Sequence, residues 1–313
     1  MGILVSVVAA GGCAGGDTSG KPAAKTLVVF NAGSLALPIR IAFDSFAVGR
    51  SLTLEQESAG SLETARKLTE LGKTPDMVAL ADIEIFPRLL VPKHTAWYVP
   101  FARNRMVIAY RPSSRYASEI SEANWWRVLE RPGLNVGRSD PNQDPNGYRT
   151  LLVLRLNERR LGQPGLANRL LTQWTERYVR PKEADLVALL QAGELDYMWS
   201  YESMARAAGL PFIQLGDSVD LGNPIDSLFY HRDSVRVRGA GVNDSITFAG
   251  APILYGLSIP RNAPHAELAA EFVRYLILGD GARVLRAAHL DVLTGARFIG
   301  DVTHSPFIVT GTP

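Results

Sequence analysis

Short apolar runs and helix-periodic segments alternate along the first third of the chain. An apolar run at 26–30 precedes a helical pattern from Leu37 to Phe46, and a strand-like segment at 52–54 precedes a helix through 65–71. A third apolar run lies at 76–80. Strand, loop and helix repeated in this order predict a doubly wound α/β sheet.

The rest of the chain predicts a second unit of the same class. The further predicted elements are strands at 105–110, 196–199 and 252–260, and helices at 125–129, 150–161, 184–191 and 265–278. The chain leaves the first lobe at 105–110 and returns at 252–260, so lobe 1 comprises 25–105 plus 253–313 and lobe 2 comprises 106–252. Two strands crossing between lobes form a hinge, and the cleft beside them is the expected ligand site.

The N-terminus predicts a targeting signal rather than a folded element. Residues 3–10 are apolar, Gly-Gly-Cys13 follows, and a polar, Gly-rich stretch covers 14–24. This order resembles a bacterial lipoprotein signal, in which Cys13 would be lipidated and anchor the protein to a membrane. Residues 1–24 are therefore set apart from the fold. The alternative is an apolar tail with an incidental cysteine.

Composition narrows the functional classes. Charged residues make up 20% of the 313-residue chain and the net charge is +2, so the overall charge gives no indication of nucleic-acid binding. The single cysteine excludes an internal disulfide and a Cys-rich metal site. The sequence contains neither H-E-x-x-H nor G-x-S-x-G, so no common hydrolase motif is present.

Two similar loops follow the first two predicted strands. Asn31-Ala-Gly-Ser34 and Ser58-Ala-Gly-Ser61 each join a strand to the first turn of a helix. Glycine allows close backbone approach, serine offers a hydroxyl, and a helix start offers N–H groups, which together suit an oxyanion. Serine is also a favoured N-cap, so a purely structural role stays open for each loop.

Several segments, in order from residue 26 to residue 290, resemble the tungstate/molybdate-binding proteins of ABC importers, in the type first known from archaea. SDPNQDPNGYR at 139–149 is the most specific; on its own, this segment is a turn with an Asx cap. The other segments are VFNAGSL at 29–35, ESAGS at 57–61, MVALAD at 77–82, LLVP at 89–92, NWWRVLERPG at 124–133, GELDY at 193–197 and PILYGLSIP at 252–260.

The resemblance implies a two-lobe periplasmic binding protein fold, of the type II or Venus-flytrap kind, with hinge strands and an oxyanion between the lobes. It implies hydrogen bonds from one lobe, two carboxylates on the tungsten or molybdenum centre, and a tyrosine beside them. The residues that match these roles are Gly33, Ser34 and Ser61 as donors, Asp144 and Glu183 as carboxylate ligands, Pro145 and Asn146 beside Asp144, and Tyr201.

The match departs from the family at three points. Asn146 replaces the usual cysteine, Ser58 and Ala59 are exchanged, and the stretch before Pro181 is shorter than usual. Glu194 and Glu202 are the alternatives to Glu183, which could instead be a first-turn acid that favours the helix dipole.

Paired carboxylates discriminate between oxyanions. Like charges about 4 Å apart repel by about 1–4 kcal/mol, so a sulfate or phosphate site should avoid them. Hexavalent tungsten or molybdenum is a Lewis acid that can add hard oxygen ligands, which sulfur in sulfate cannot do.

We therefore expect a monomeric, lipid-anchored solute-binding protein of the cell envelope. It would capture tungstate or molybdate for an ABC-transporter permease, without a cofactor and without catalysis. The alternatives are a binder of another oxyanion such as sulfate or phosphate, a sensor on the same fold, or a hydrolase on the same scaffold. Trp97-Tyr98 and Trp125-Trp126 are interpreted as packing residues, 232–238 as an exposed loop or strand face, and the role of Arg149 is left open.

Overall fold

The computed structural model describes residues 24–239, 241 and 243–303. Cys13 and the predicted signal lie outside the described residues. The described chain is a mixed α/β structure built on two main sheets and one separate hairpin.

The elements follow in chain order. The strands are β1 (Lys25–Ala32), β2 (Leu52–Ala59), β3 (Met77–Leu80), β4 (Trp97–Arg103), β5 (Met106–Tyr110), β6 (Val136–Ser139), β7 (Val179–Arg180), β8 (Tyr197–Tyr201), β9 (Phe212–Gln214), β10 (Ser234–Arg238), β11 (Ser245–Ala249), β12 (Leu254–Ser258), β13 (Asp291–Val292) and β14 (Ile299–Gly300). The helices are α1 (Ala36–Phe46), α2 (Ser61–Thr69), α3 (Trp125–Leu129), α4 (Pro145–Leu161), α5 (Leu166–Gln173), α6 (Glu183–Ala192), α7 (Glu202–Ala207), α8 (Ser227–Tyr230), α9 (Ala266–Leu278) and α10 (Gly281–Ala287).

Lobe 1 is a seven-stranded sheet in the order β13-β4-β12-β3-β1-β2, with β14 also on β4. Strands β1, β2 and β3 are parallel, as the repeated order of strand, loop and helix predicted, whereas the returning strand β12 is antiparallel to both β3 and β4. The sheet is therefore mixed rather than uniformly parallel. Its β1–β2 register aligns Asn31 with Ser58, so the two Ala-Gly-Ser loops leave the same edge of the sheet.

Lobe 2 is a five-stranded sheet in the order β7-β6-β8-β5-β9. Strand β6 is parallel to β7 and β8, and β5 is antiparallel to β8 and β9. Strands β10 and β11 pair as a separate antiparallel hairpin. Residues 232–238 were predicted as an exposed loop or strand face. They include strand β10, whose side chains alternate between exposed and buried, so the second alternative applies.

The crossings between lobes are short connections, not strands. Strand β5 belongs entirely to lobe 2 and β12 entirely to lobe 1, so the chain passes between lobes at 104–105 and at 250–253. The Asn104 N–H donates to the Ile253 carbonyl at 3.2 Å, so a hydrogen bond joins the two connections between the lobes.

Each lobe has an aromatic cluster in its core. In lobe 1, Phe43 packs edge-on against Phe272, joining α1 to α9. In lobe 2, Trp125 and Trp199 meet in a T-shaped pair, with Trp126 beside them. Trp97, Tyr98, Trp125 and Trp126 are all buried, in agreement with their interpretation as packing residues. Among the described residues, no helix combines the length and the apolar character required to cross a bilayer.

Candidate functional site

The two Ala-Gly-Ser loops form the lobe 1 face of the cleft. After β1 the chain makes a 3₁₀ turn at Gly33–Leu35, and the buried Ser34 Oγ lies 3.0 Å from the hydroxyl of Tyr255. Ser61 is the first residue of α2, and its Oγ accepts the Ala81 N–H at 2.9 Å. Both serine side chains are thus already hydrogen-bonded within lobe 1.

A buried amide network holds these loops together. Asn31 donates to Ser58 Oγ at 2.9 Å and accepts from Gln56 Nε2 at 2.9 Å. Gln56 also donates to the Ala36 carbonyl at the start of α1. Sequence reasoning missed Gln56, because an alternating strand position carries no sign that its side chain turns toward a neighbouring loop.

Asp144 begins the lobe 2 face as the N-cap of α4. Its Oδ1 accepts the Asn146 N–H at 2.9 Å, and Pro145 occupies the first helical position. The helix therefore starts at Pro145, whereas the pattern predicted a loop up to Arg149; an Asp cap followed by proline is a strong start signal that the turn-rich composition obscured. Gly147 permits the close packing, because a Cβ there would lie 2.5 Å from the Ser139 carbonyl oxygen.

Glu183 contacts Asp144, although the two residues are 39 positions apart in the chain. It is the first residue of α6, and its backbone N–H donates to Asp144 Oδ2 at 3.0 Å. Its own Oε1 accepts from Ser200 Oγ at 2.6 Å and from the Tyr201 N–H at 2.7 Å. The structure thus brings Asp144, Glu183 and Tyr201 into one buried cluster.

The alternative acids lie elsewhere. Glu202 pairs with Arg105 at 3.1 Å and with Arg206 at 2.6 Å. Glu194 is exposed in the turn after α6. Neither is placed beside Asp144 by a hydrogen bond or ion pair of the described residues.

Burial makes the charged forms of Asp144 and Glu183 electrostatically unfavourable. Asp144 is 5% and Glu183 1% exposed. Burial raises the pKa of Asp144 to about 6, and burial together with the Asp144 charge raises the pKa of Glu183 to about 8. At neutral pH the pair therefore retains a proton.

Three polar atoms of this face have no hydrogen-bond partner among the described residues. They are Glu183 Oε2 and both amide atoms of Asn146, whose side chain is fully buried. An unsatisfied buried polar group costs about 1–3 kcal/mol, so these atoms are candidates for completion by a ligand or water.

Arg149, whose role was open, connects the two lobes. Its guanidinium pairs with Asp82 of lobe 1 at 3.0 Å, and donates to the Ala81 carbonyl at 2.7 Å and to the Tyr201 hydroxyl at 2.8 Å. Tyr148 adds a 2.5 Å hydrogen bond to Asp82. Asp82 was not predicted as a functional residue; its position at the end of β3 was the only local signal.

The lobes are closed on each other in this structure. The N–H groups of Leu62 and Glu63, in the first turn of α2, both donate to the Gln143 carbonyl of lobe 2. A Cβ on Gly60 would lie 2.3 Å from that same oxygen. The expectation of free N–H groups at the start of this helix was therefore wrong for Leu62 and Glu63, because both already donate to lobe 2 when the lobes are closed.

Arg66 extends this contact between lobes. Its buried guanidinium donates to the carbonyls of Asn142, Arg238 and Gly239 of lobe 2. Asn142 Oδ1 in turn accepts the Arg238 N–H at 2.9 Å, linking the β10–β11 hairpin to the turn before Asp144.

Within the described residues, no group of three or more His, Cys, Asp or Glu side chains could hold a metal ion. The predicted residues that the structure brings to the cleft are Gly33, Ser34 and Ser61 from lobe 1, and Asp144, Pro145, Asn146, Glu183 and Tyr201 from lobe 2. Gly33 faces lobe 2 directly, since a Cβ there would lie 3.6 Å from Ala184 Cβ.

Comparison with known proteins agrees with this architecture. A profile of the bacterial extracellular solute-binding proteins matches residues 27–291. The chain is 36% identical over 321 residues to the molybdate/tungstate-binding protein WtpA of Pyrococcus abyssi, covering 93% of this chain and 92% of that protein. It is 40% identical over 262 residues to an uncharacterized solute-binding protein of Petrotoga mobilis, covering 83% and 81% of the two chains.

A solved structure shares the fold. The periplasmic molybdate-binding protein of Azotobacter vinelandii superimposes with a TM-score of 0.63 at 15% identity, covering 86% of this chain and all of that one. The two-lobe α/β prediction is confirmed by this likeness.

Proposed function

The chain belongs to the bacterial extracellular solute-binding proteins, and we propose that it captures tungstate or molybdate between its lobes for an ABC-transporter permease. The family acts outside the cytoplasm and serves ABC transporters. Relatives named as molybdate/tungstate-binding proteins align with more than nine-tenths of this chain.

One observation carries the choice of cargo. Asp144 and Glu183 are two buried acids joined by the hydrogen bond from the Glu183 N–H to Asp144 Oδ2, and Glu183 Oε2 has no protein partner among the described residues. In its ionised form such a pair disfavours sulfate or fully ionised phosphate, because each carboxylate repels a dianion by about 2–8 kcal/mol at about 4 Å.

A tungsten or molybdenum centre reverses this preference. The hexavalent atom accepts further oxygen ligands, and carboxylate oxygen is a hard donor suited to it. Asp144 and Glu183 would then bond to the metal rather than to the anion's oxygens. The centre's positive charge also favours the ionised carboxylates, so capture releases the proton that burial holds on the pair.

The opposite face supplies hydrogen bonds to the oxygens. Ser34 and Ser61 lie at the edge of the lobe 1 sheet with Gly33, whose missing side chain keeps the backbone accessible. Tyr201 adds a hydroxyl from lobe 2, held in place by Arg149. These donors orient the anion while the acids select its central atom.

Delivery requires no chemistry on the cargo. Opening and closing about the connections at 104–105 and 250–253 would bind and release it, without a cofactor or catalysis. We further propose that the protein acts as a monomer and that a lipid on Cys13 tethers it to the membrane.

Competition in native mass spectrometry tests the proposal. Purified protein is mixed with equal concentrations of tungstate, molybdate and sulfate, and the bound mass identifies the cargo. We expect one tungstate or molybdate per chain and no sulfate. A chain that retains sulfate or phosphate in preference would overturn the assignment of cargo while leaving the family intact.

X-ray absorption at the tungsten edge tests the coordination itself. Bound tungstate should show more oxygen neighbours than free tungstate, and the excess should fall in Glu183→Ala and disappear when Asp144→Ala is added. A tetrahedral spectrum for the bound parent chain would exclude carboxylate ligation.

A further inference from the structure

A chain of hydrogen bonds runs from the connection between the lobes to Ser34. The buried Asn104 Nδ2 donates to the Tyr255 hydroxyl at 2.9 Å and to Ser203 Oγ at 2.7 Å. Tyr255 Oη lies 3.0 Å from Ser34 Oγ. The Asn104 Oδ1 accepts the N–H groups of Arg105 at 3.0 Å and Ser203 at 3.4 Å.

The Asn104 amide sets the direction at the start of this chain. Two backbone N–H groups can be satisfied only by the oxygen of the Asn104 amide, so its nitrogen must face Tyr255. An amide nitrogen only donates, so the phenol oxygen accepts there. The single phenol proton is then available to Ser34 Oγ, the remaining partner of the phenol among the described residues.

Ser34 is left with its own proton to give. Because Ser34 Oγ accepts from Tyr255, its O–H is directed away from Tyr255. Burial raises the pKa of Tyr255 above its usual range, so the phenol keeps the proton that this arrangement needs.

The two other hydroxyls of the site are arranged in the same way. Ser61 Oγ accepts the Ala81 N–H, and the Tyr201 hydroxyl accepts from the Arg149 guanidinium, which has no lone pair to offer. In each case a donor of the protein occupies one acceptor lone pair of the hydroxyl. The pattern therefore recurs at Ser34, Ser61 and Tyr201, on both faces of the cleft.

We propose that Asn104 and Tyr255 are positioning residues that fix Ser34 as a hydrogen-bond donor to an unprotonated oxygen of the bound anion. We call this chain of contacts the Asn104–Tyr255–Ser34 relay. It rests on the proposed function, in that Ser34 contacts the anion. It deepens that function by assigning a protonation state to the cargo: the oxygen beside Ser34 carries no proton, as in a fully ionised tetraoxo dianion.

The relay also ties ligand contact to the lobe connection. Asn104 lies in the crossing at 104–105, and its amide touches both Ser203 of lobe 2 and Tyr255 of lobe 1. Ser34 is thus oriented by a residue whose contacts span both lobes.

A double-mutant cycle on anion affinity tests the relay. Tyr255→Phe removes the donor to Ser34 without a change of charge, and should raise the Kd about three- to tenfold in the parent chain. In a Ser34→Ala background the same substitution should change the Kd less than about twofold, because the hydroxyl that it orients is gone.

Asn104→Asp reverses the relay. The new carboxylate accepts the Tyr255 proton, the phenol oxygen then accepts from Ser34, and Ser34 turns a lone pair toward the anion. The rise in Kd should be about tenfold larger with Ser34 present than in Ser34→Ala. Direct repulsion by the new charge is common to both backgrounds and cancels in this ratio.

Tyr275→Phe is the matched control. Tyr275 also donates to a serine, Ser45, at 2.9 Å, but on the exposed side of lobe 1. It should leave the Kd unchanged. If Tyr255→Phe and Asn104→Asp weaken binding equally with and without Ser34, the relay is wrong and both residues act only through the fold.

The cycle is measured with whichever of tungstate, molybdate and sulfate the parent chain binds. A parent chain that prefers sulfate overturns the proposed cargo, while the coupling between Tyr255 and Ser34 still decides the relay. Thermal unfolding of each ligand-free variant identifies losses due to misfolding; should Asn104→Asp fail to fold, Tyr255→Phe alone gives the result.

Discussion

The two faces of the cleft differ in how far the folded chain satisfies its own polar groups. On lobe 1, Ser34 and Ser61 each have a hydrogen-bond partner within their own lobe. On lobe 2, Glu183 Oε2 and the Asn146 amide have no partner among the described residues. The two serines of lobe 1 are therefore hydrogen-bonded on folding, whereas these atoms of lobe 2 are left for a ligand or water.

The faces also differ in chemical sense. Lobe 1 offers donors to the oxygens of an anion, and the acids of lobe 2 offer acceptor oxygens that such an anion repels. A ligand whose periphery accepts hydrogen bonds and whose centre accepts electron pairs satisfies both faces. Under the proposed coordination, the acids of lobe 2 set selectivity and the hydroxyls of both lobes set orientation.

Breaking the ion pair that joins the faces should have the largest effect. Arg149→Met leaves Asp82 buried without its cation, and should lower the free energy of unfolding by about 3–5 kcal/mol. Urea denaturation of the ligand-free protein measures this loss. Arg88→Met, which removes an exposed pair with Glu84, is the control and should cost about 0–1 kcal/mol. Equal losses in the two variants would contradict a joining role for Arg149.

Removing the acids tests the lobe 2 face alone. Asp144→Ala and Glu183→Ala should each raise the Kd for tungstate about a hundredfold, equivalent to about 3 kcal/mol. Sulfate should bind as well as before or better, because a repelling charge is lost. Titration calorimetry gives both constants, and the exposed Glu194→Ala serves as the control. Unchanged tungstate binding in both acid variants would rule out coordination.

The acid face should also make the ligand-free protein less stable as pH rises. The pKa of Glu183 is raised to about 8 from an ordinary 4.5, so between these values the folded state binds more protons than the unfolded one. The free energy of unfolding therefore falls as pH rises from about 5 to about 8, and Asp144 adds to the fall at the acidic end.

Melting temperatures across this pH range measure the fall. Glu183→Gln should flatten the profile and raise the melting temperature at pH 8, while Glu194→Gln should leave the slope as it is. A parent profile that rises over the same interval would contradict the burial of a protonated acid.

Holding the faces apart should have the smallest effect. The φ of Gly60 is −62°, which alanine adopts freely, so Gly60→Ala should fold normally in an open form. Its Cβ would lie 2.3 Å from the Gln143 carbonyl when the lobes close. We expect a Kd about tenfold higher, and a larger radius of gyration by small-angle scattering with ligand present. Parent-like affinity and compaction would show that closure tolerates the extra methyl group.

Local signals predicted the pieces of this molecule well. The parallel strands β1 to β3, the loops at Ser34 and Ser61 and the helix after Glu183 all follow from short patterns. The start of α4 was misplaced, because a cluster of Pro, Asn, Asp and Gly resembles a turn even where Asp144 and Pro145 begin a helix. The hinge was predicted as strands, because an apolar run cannot show which sheet it will join.

Contacts between distant segments left no such signal. Gln56, Asp82 and Asn104 are ordinary polar residues in the sequence, and each gains its meaning from a partner far along the chain. Their partners are set by sheet order and lobe closure. Neither sheet order nor lobe closure produces a periodic pattern or a fixed spacing in the sequence, so neither could be predicted from it.

The order of residues alone determined an α/β chain of two lobes, and the chemistry available at the ends of its strands. Hydrophobic period and turn chemistry act over a few residues, and the sequence displays them directly. Only the tertiary structure decided that the Glu183 N–H donates to Asp144, that Arg149 forms an ion pair with Asp82, and that Tyr255 lies beside Ser34. The reason is physical: burial and hydrogen-bond direction depend on which distant groups exclude water from one another, and that is known only once the lobes have packed.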